Sequence, residues 1–110
     1  MKNEEKTFNQ LSIPEAAICD EDSVEMLRVW IAERQLHCSV KVGIYQETMN
    51  IPEEKAWGTI LADAARHLAN ALESRYSTNA TESLQKIRDV FIKELAGPTS
   101  DAKGDFAKKH

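Results

Sequence analysis

The sequence predicts a small α+β protein in which an antiparallel β-hairpin or small sheet packs against two α-helices, in the order β-β-α-α. Two neighbouring segments alternate apolar and polar residues with a period of two, which is typical of strands buried on one side. Two later segments repeat apolar residues every three to four positions, which is typical of amphipathic helices. The chain has 110 residues, enough for one domain with a modest core.

We expect a single α+β domain over residues 11–97. Residues 1–10 are polar, which predicts a flexible N-terminus, and the chain turns polar again over 98–110, which predicts a flexible C-terminal tail. Residues 11–23 form a connecting arm, in which Pro14 requires an extended step.

The first strand is predicted over residues 25–32, where Leu27, Val29 and Ile31 share one face. The second strand is predicted from Leu36 to about residue 45. Its apolar face carries every second residue, namely Leu36, Cys38, Val40, Val42 and Ile44.

The loop between the strands must contain an even number of residues if both apolar faces are to share one side. A two-residue turn usually requires Gly or Asn-Gly, which the sequence lacks here, so we expect a four-residue loop over 32–35. This register places Ile31 opposite Leu36 and Trp30 opposite His37. The other expected pairs are Val29 with Cys38 and Leu27 with Val40.

The first long helix is predicted to begin at Asn50-x-x-Glu53, which has the spacing of a capping box. Seven residues form an apolar surface along it, called here the leucine stripe: Trp57, Ile60, Leu61, Ala64, Leu68, Ala71 and Leu72. Beside it lies a stripe of small residues that allows a sheet, a helix or a second subunit to approach closely: Gly58, Ala62, Ala65 and Ala69.

The last helix is predicted to begin near Asn79, because Asn79-x-x-Glu82 again has the spacing of an N-terminal cap. It is expected to stop at Gly97-Pro98. Its predicted inward face carries Leu84, Ile87, Phe91 and Leu95.

Composition and charge narrow the possible functions. The formal net charge is −4 and the isoelectric point is about 5.4, a balance that argues against a nucleic-acid-binding face. The polar start of the sequence is unlike a secretory signal, and no apolar run is long enough to cross a bilayer. We therefore expect a cytoplasmic protein with no nucleic-acid and no membrane partner.

We predict no cofactor and no metal site. The histidines and cysteines lack the local spacing of a zinc site. His37 and Cys38 are adjacent but face opposite sides of their strand, and Cys19, His67 and His110 each occur singly. The two cysteines are expected to be reduced thiols, with a Cys19–Cys38 disulfide as the alternative.

Several segments together resemble a family of small bacterial proteins known as a domain of unknown function, DUF5076. The resemblance runs from Leu11 to Ala71 and rests on residues 13–17, 25–32, 56–58, 61–63 and 66–67. It implies a bacterial cytoplasmic setting and no established activity. The family-like positions that it singles out are Arg28, Trp30, Trp57, Asp63, Arg66 and His67.

Asp63, Arg66 and His67 share one helix at spacings i, i+3 and i+4. Asp63 could orient the ring of His67 so that its other nitrogen acts as a base. The competing interpretation, which we favour, is a solvated charge cluster worth roughly 0.3–0.5 kcal/mol.

Trp30 and His37 could form one wall of a small-ligand pocket, with His67 as a third candidate. The competing interpretation, which we favour, is a cross-strand pair that stabilises the hairpin without any ligand.

Three functions of different classes remain. The first is a non-enzymatic interaction module that acts as a homodimer or binds another protein, since a lone hairpin has open edges and must be covered. The second is a ligand-binding module with a pocket near Trp30 and His37. The third is an enzyme that uses Asp63 and His67.

Overall fold

A computed structural model describes residues 8–107. The α+β class and the order of elements are as predicted, because a β-hairpin is followed by two long helices. The predicted flexible segments lie partly outside the described residues, at 1–7 and 108–110. The elements in chain order are α1 (Glu15–Cys19), β1 (Leu27–Ala32), β2 (Gln35–Lys41), α2 (Ile44–Thr48), α3 (Glu53–Tyr76), α4 (Ala80–Ala96), β3 (Ala102–Lys103) and β4 (Phe106–Ala107).

The register of the hairpin is confirmed, including Ile31 opposite Leu36 and Trp30 opposite His37. The predicted four-residue loop is wrong, because Ala32 pairs with Gln35 and leaves a two-residue turn. Its residues Glu33 and Arg34 have φ values of 54° and 64°, as both central residues of a type I′ turn require. This turn matches the twist of the flanking strands, which offsets a cost of about 1 kcal/mol per left-handed residue.

The second strand ends at Lys41 rather than near residue 45. Gly43 has a φ of 109°, which turns the chain out of the sheet and into α2. A Cβ atom at this position would lie 2.8 Å from a carboxylate oxygen of Glu47. The alternation therefore continues in the sequence beyond the point where glycine ends the strand.

Two short C-terminal strands, which the sequence pattern did not predict, extend the sheet. Both β3 and β4 pair parallel to β2, on the side opposite β1. Between them Gly104 has a φ of 133°, and a Cβ atom there would collide with the backbone oxygen of Cys38. Glycine is therefore required where the tail passes close to β2.

The helices α3 and α4 form a helical hairpin, joined by three residues. The predicted cap of α4 is confirmed, since Asn79 Oδ1 accepts a hydrogen bond from the Glu82 N–H at 3.0 Å. The capping box predicted at Asn50 is wrong. Asn50 has a left-handed φ of 56°, and α3 has Pro52 as its N-cap with no side-chain hydrogen bond.

The helical hairpin and the sheet have few contacts within one copy of the chain. The main contacts lie within the sheet, between α3 and α4, and between α2 and α3. Among the described residues only Ala56 and Ala69 are buried apolar residues, and Ala69 is 2% exposed where α4 approaches α3. The small-residue stripe is thus buried only at Ala69, since Gly58 and Ala62 are exposed, and Leu68 of the leucine stripe remains 50% exposed.

Candidate functional site

A network of hydrogen bonds joins the first residue of α3 to the start of α2. Glu53 Oε2 accepts hydrogen bonds from the backbone N–H groups of Tyr45 and Gln46, each at 2.9 Å. In return, the side-chain oxygen of Gln46 accepts a hydrogen bond from the Glu53 N–H at 3.4 Å. We call this reciprocal arrangement the Glu53 clasp.

The charge on Glu53 is stabilised by these N–H donors. Hydrogen bonding from the backbone of Gly43, followed by that of Gln46, lowers the pKa of the Glu53 carboxyl below its ordinary value, and partial desolvation opposes this shift. The Trp57 side chain acts weakly in the same direction. Its indole N–H and Glu53 Oε1 are both buried, and neither completes a hydrogen bond with the described residues.

The clasp fixes the elbow between the sheet and the helical hairpin. The clasp lies in the segment from Gly43 to Glu53, which connects the end of β2 to the start of α3. Sequence reasoning assigned Glu53 to a capping box with Asn50 and so missed its partner in α2. Gly43 was the available signal, since a glycine within an alternating pattern indicates a place where the strand can end and the chain can turn.

Trp30 and His37 are cross-strand neighbours, as predicted. The ring of Phe8 meets Trp30 edge to face, with centroids 6.3 Å apart. His37 Nε2 is buried and has no hydrogen-bond partner among residues 8–107. Trp30 also lines a groove of about 700 Å³ between the arm and β1, but His37 does not line it.

The remaining candidate residues lie on exposed surfaces. The Asp63 carboxylate forms an ion pair with Arg66 rather than with His67, and His67 is exposed on α3. Because α3 has few contacts with the sheet, His67 lies apart from the Trp30–His37 pair. Arg28 forms a two-point ion pair with Glu25, at 2.8 and 3.1 Å.

The cysteines Cys19 and Cys38 are free thiols, the first exposed and the second half-buried on β2. Within the part of the chain that the structure describes, no three His, Cys, Asp or Glu side chains come together as metal ligands would. None of its helices is long and apolar enough to cross a membrane.

A model of the family described as "Domain of unknown function (DUF5076)" matches residues 10–99. The chain belongs to the DUF5076 family. The match extends beyond the resemblance noted in the sequence and includes all of α4, so it covers the hairpin, the clasp and both long helices.

A solved structure shares the fold of this DUF5076 protein. It comes from the photosynthetic bacterium Rhodopseudomonas palustrus CGA009, and its protein is described as a "putative pyruvate dehydrogenase". The two chains are 26% identical and superpose with a TM-score of 0.64, over 89% of this chain and 94% of that one. No curated protein matches this chain.

Proposed function

We propose that this DUF5076 protein is a non-enzymatic interaction module that acts as a homodimer. The observation that carries the proposal is the surface of a single copy, which is 9570 Å². A compact folded monomer of 12.4 kDa is expected to expose about 6,100 Å². The difference is about 3,500 Å² per copy, an area that includes the residues outside 8–107. Two copies together can therefore supply the roughly 2,000–5,000 Å² in total that an obligate dimer interface buries.

The exposed surface is also apolar in the places where a core is expected. Large hydrophobic side chains stay exposed on the sheet, on both long helices and in the arm. They include Ile13, Ile18, Val29, Ile31, Leu36, Leu61, Leu68, Val90, Phe91, Ile92 and Leu95. Large apolar side chains exposed on several elements of one copy favour an interaction that covers them. A second copy is the partner that is always available to a chain with this surface.

A bacterial cytoplasmic setting belongs to the same proposal. The support is the bacterial relative, together with two free thiols in the chain, which suit a reducing compartment.

Native mass spectrometry of the protein, prepared without a metal-affinity tag and combined with sedimentation velocity from 1 to 100 μM, tests the proposal. We expect a dimer throughout this range, because an interface of this size gives dissociation constants well below micromolar when it is apolar and well packed. A monomer at 100 μM would overturn the proposal.

The same spectrum tests a second candidate, a small-ligand-binding module near Trp30 and His37. The buried and unpartnered His37 Nε2 favours it, since such an atom is usually paired with a protein group, water or ligand. A reproducible added mass that disappears in a His37→Phe variant would support this candidate. A spectrum without added mass leaves the interaction module as the only supported function.

A further inference from the structure

We infer that the two copies exchange layers, so that the helical hairpin of each copy lies on the sheet of the other. The leucine stripe of α3 then covers the apolar face of the partner's β1–β2 hairpin. This inference rests on the proposed function, because it requires a dimer.

The first observation is that the apolar face of the sheet is uncovered near the β1–β2 turn. Val29 is 49% exposed and Ile31 is 74% exposed, and Leu36 beside Ile31 is also exposed, whereas Leu27 and Val40 at the other end of the face are half-buried. A sheet face of this composition is covered by another layer in a stable domain. Within one copy, neither long helix supplies that layer.

The second observation is the matching surface on α3. Leu61, at 41% exposure, and Leu68 lie two turns apart on one side of the helix, with Ala64 and Ala71 completing the stripe at helical spacing. None of these residues is charged. The surface therefore has the composition of a helix face that packs on a sheet.

The third observation is that the elbow separates these two surfaces within one copy. The Glu53 clasp ties the start of α3 to α2 through hydrogen bonds in both directions. Ile31 on the sheet and Leu61 and Leu68 on the leucine stripe all remain exposed.

Symmetry then selects the arrangement. A dimer formed only through the helices would leave both sheet faces exposed, and a dimer formed only through the sheets would leave both leucine stripes exposed. An exchange about a single two-fold axis covers all four surfaces, since each contact occurs twice in an isologous interface. It would also bury part of the difference of about 3,500 Å² between the surface of one copy and that of a compact monomer.

Site-specific cross-linking tests the exchange. Cys38 is on the apolar face of β2, where it pairs with Val29, and it serves as the sheet probe once Cys19 is replaced by Ser. A second cysteine is placed on the leucine stripe, in separate proteins, as Leu61→Cys, Ala64→Cys or Leu68→Cys. Asp63→Cys is the matched control, because Asp63 is exposed on the same helix outside the stripe. Each protein is treated with a short bismaleimide.

We expect at least one stripe variant to form a covalent dimer in which peptide mapping joins Cys38 of one copy to the new cysteine of the other. The Asp63→Cys control should form at least ten times less of this product, and circular dichroism should show that each variant is folded.

Three results would overturn the exchange while leaving the dimer intact. They are a cross-link between two stripe cysteines alone, a Cys38-to-stripe cross-link within one chain, and no cross-link in a protein that sediments as a dimer. A monomeric mass before cross-linking would overturn the proposed function as well.

Discussion

At the scale of single residues, the Glu53 carboxylate ties the start of α3 to the start of α2. Its oxygen Oε2 accepts hydrogen bonds from two backbone N–H groups in the first turn of α2. Hydrogen bonds of this kind, to a charged acceptor, are stronger than those between neutral groups. The interaction involves only residues 43–53, and it holds the first residue of α3 against α2.

Glu53→Gln should lower the thermal unfolding midpoint at pH 7, because the amide loses the negative charge that the N–H donors stabilise. Glu54→Gln is the matched control, since Glu54 is the next residue of the same helix and is exposed. Thermal melts followed by circular dichroism make the comparison. Equal midpoints for the two variants would show that the clasp does not stabilise the fold.

The pH dependence of this effect follows from the lowered pKa of Glu53. A carboxyl whose pKa is lower in the folded state stabilises the protein above its unfolded pKa, and this contribution disappears as the pH falls through the folded pKa. The difference in midpoint between wild type and Glu53→Gln should therefore be largest near neutrality and should vanish in strong acid. A difference that is constant with pH would contradict the role of the charge.

At the scale of elements, the accuracy of sequence reasoning depends on whether a signal is local. The register of the hairpin follows from the parity of the two apolar faces together with the position of the loop, and the cap at Asn79 follows from a four-residue pattern, so both could be predicted. The turn at Glu33 and Arg34 could not, because strand twist imposes left-handed backbone on residues that do not favour it. The assignment of Glu53 to a capping box with Asn50 was wrong for a related reason, since the hydrogen-bond donors to its carboxylate lie in α2.

The contact between α3 and α4 depends on a small side chain at Ala69, which is almost fully buried. Ala69→Leu should destabilise the protein by about 1–3 kcal/mol, because added volume in a close contact forces the helices apart. Urea denaturation measures the change.

Ala62→Leu is the control for this effect, since Ala62 belongs to the same small-residue stripe and is exposed. It should change stability by less than about 0.5 kcal/mol. A loss of stability of similar size in both variants would show that burial against α4 does not distinguish Ala69 from the rest of the small-residue stripe.

At the scale of the whole molecule, the leucine stripe was predicted as the apolar surface of α3, and in one copy its residues Leu61 and Leu68 are exposed. The period of an amphipathic helix indicates which residues avoid water, but it does not indicate which chain covers them. The same limit applies to the short strands β3 and β4, whose pairing with β2 depends on the path of the entire chain. The fold class could therefore be predicted, whereas the layer that completes it could not.

Leu68→Asp should raise the dissociation constant of the dimer by at least about 100-fold. Each subunit loses on the order of 1.5 kcal/mol of apolar burial, and the substitution occurs twice in a symmetric interface. Sedimentation equilibrium measures the constant. Arg66→Glu is the control, because Arg66 is exposed outside the stripe, and it should leave the constant within about threefold. A Leu68→Asp dimer as tight as wild type would remove the leucine stripe from the interface.

The parallel pairing of β3 with β2 has a consequence for biosynthesis. Leu36 pairs with Ala102, so this contact closes a loop that contains both long helices. During translation the β1–β2 hairpin can form as soon as it leaves the ribosome, because its contacts are local, whereas the outer edge of β2 stays open until residues 102–107 emerge. Contacts between distant residues form slowly. The nascent chain therefore exposes an unpaired strand edge while both long helices are synthesised, and a ribosome stalled within α4 would display a hairpin ready to pair with a neighbouring chain.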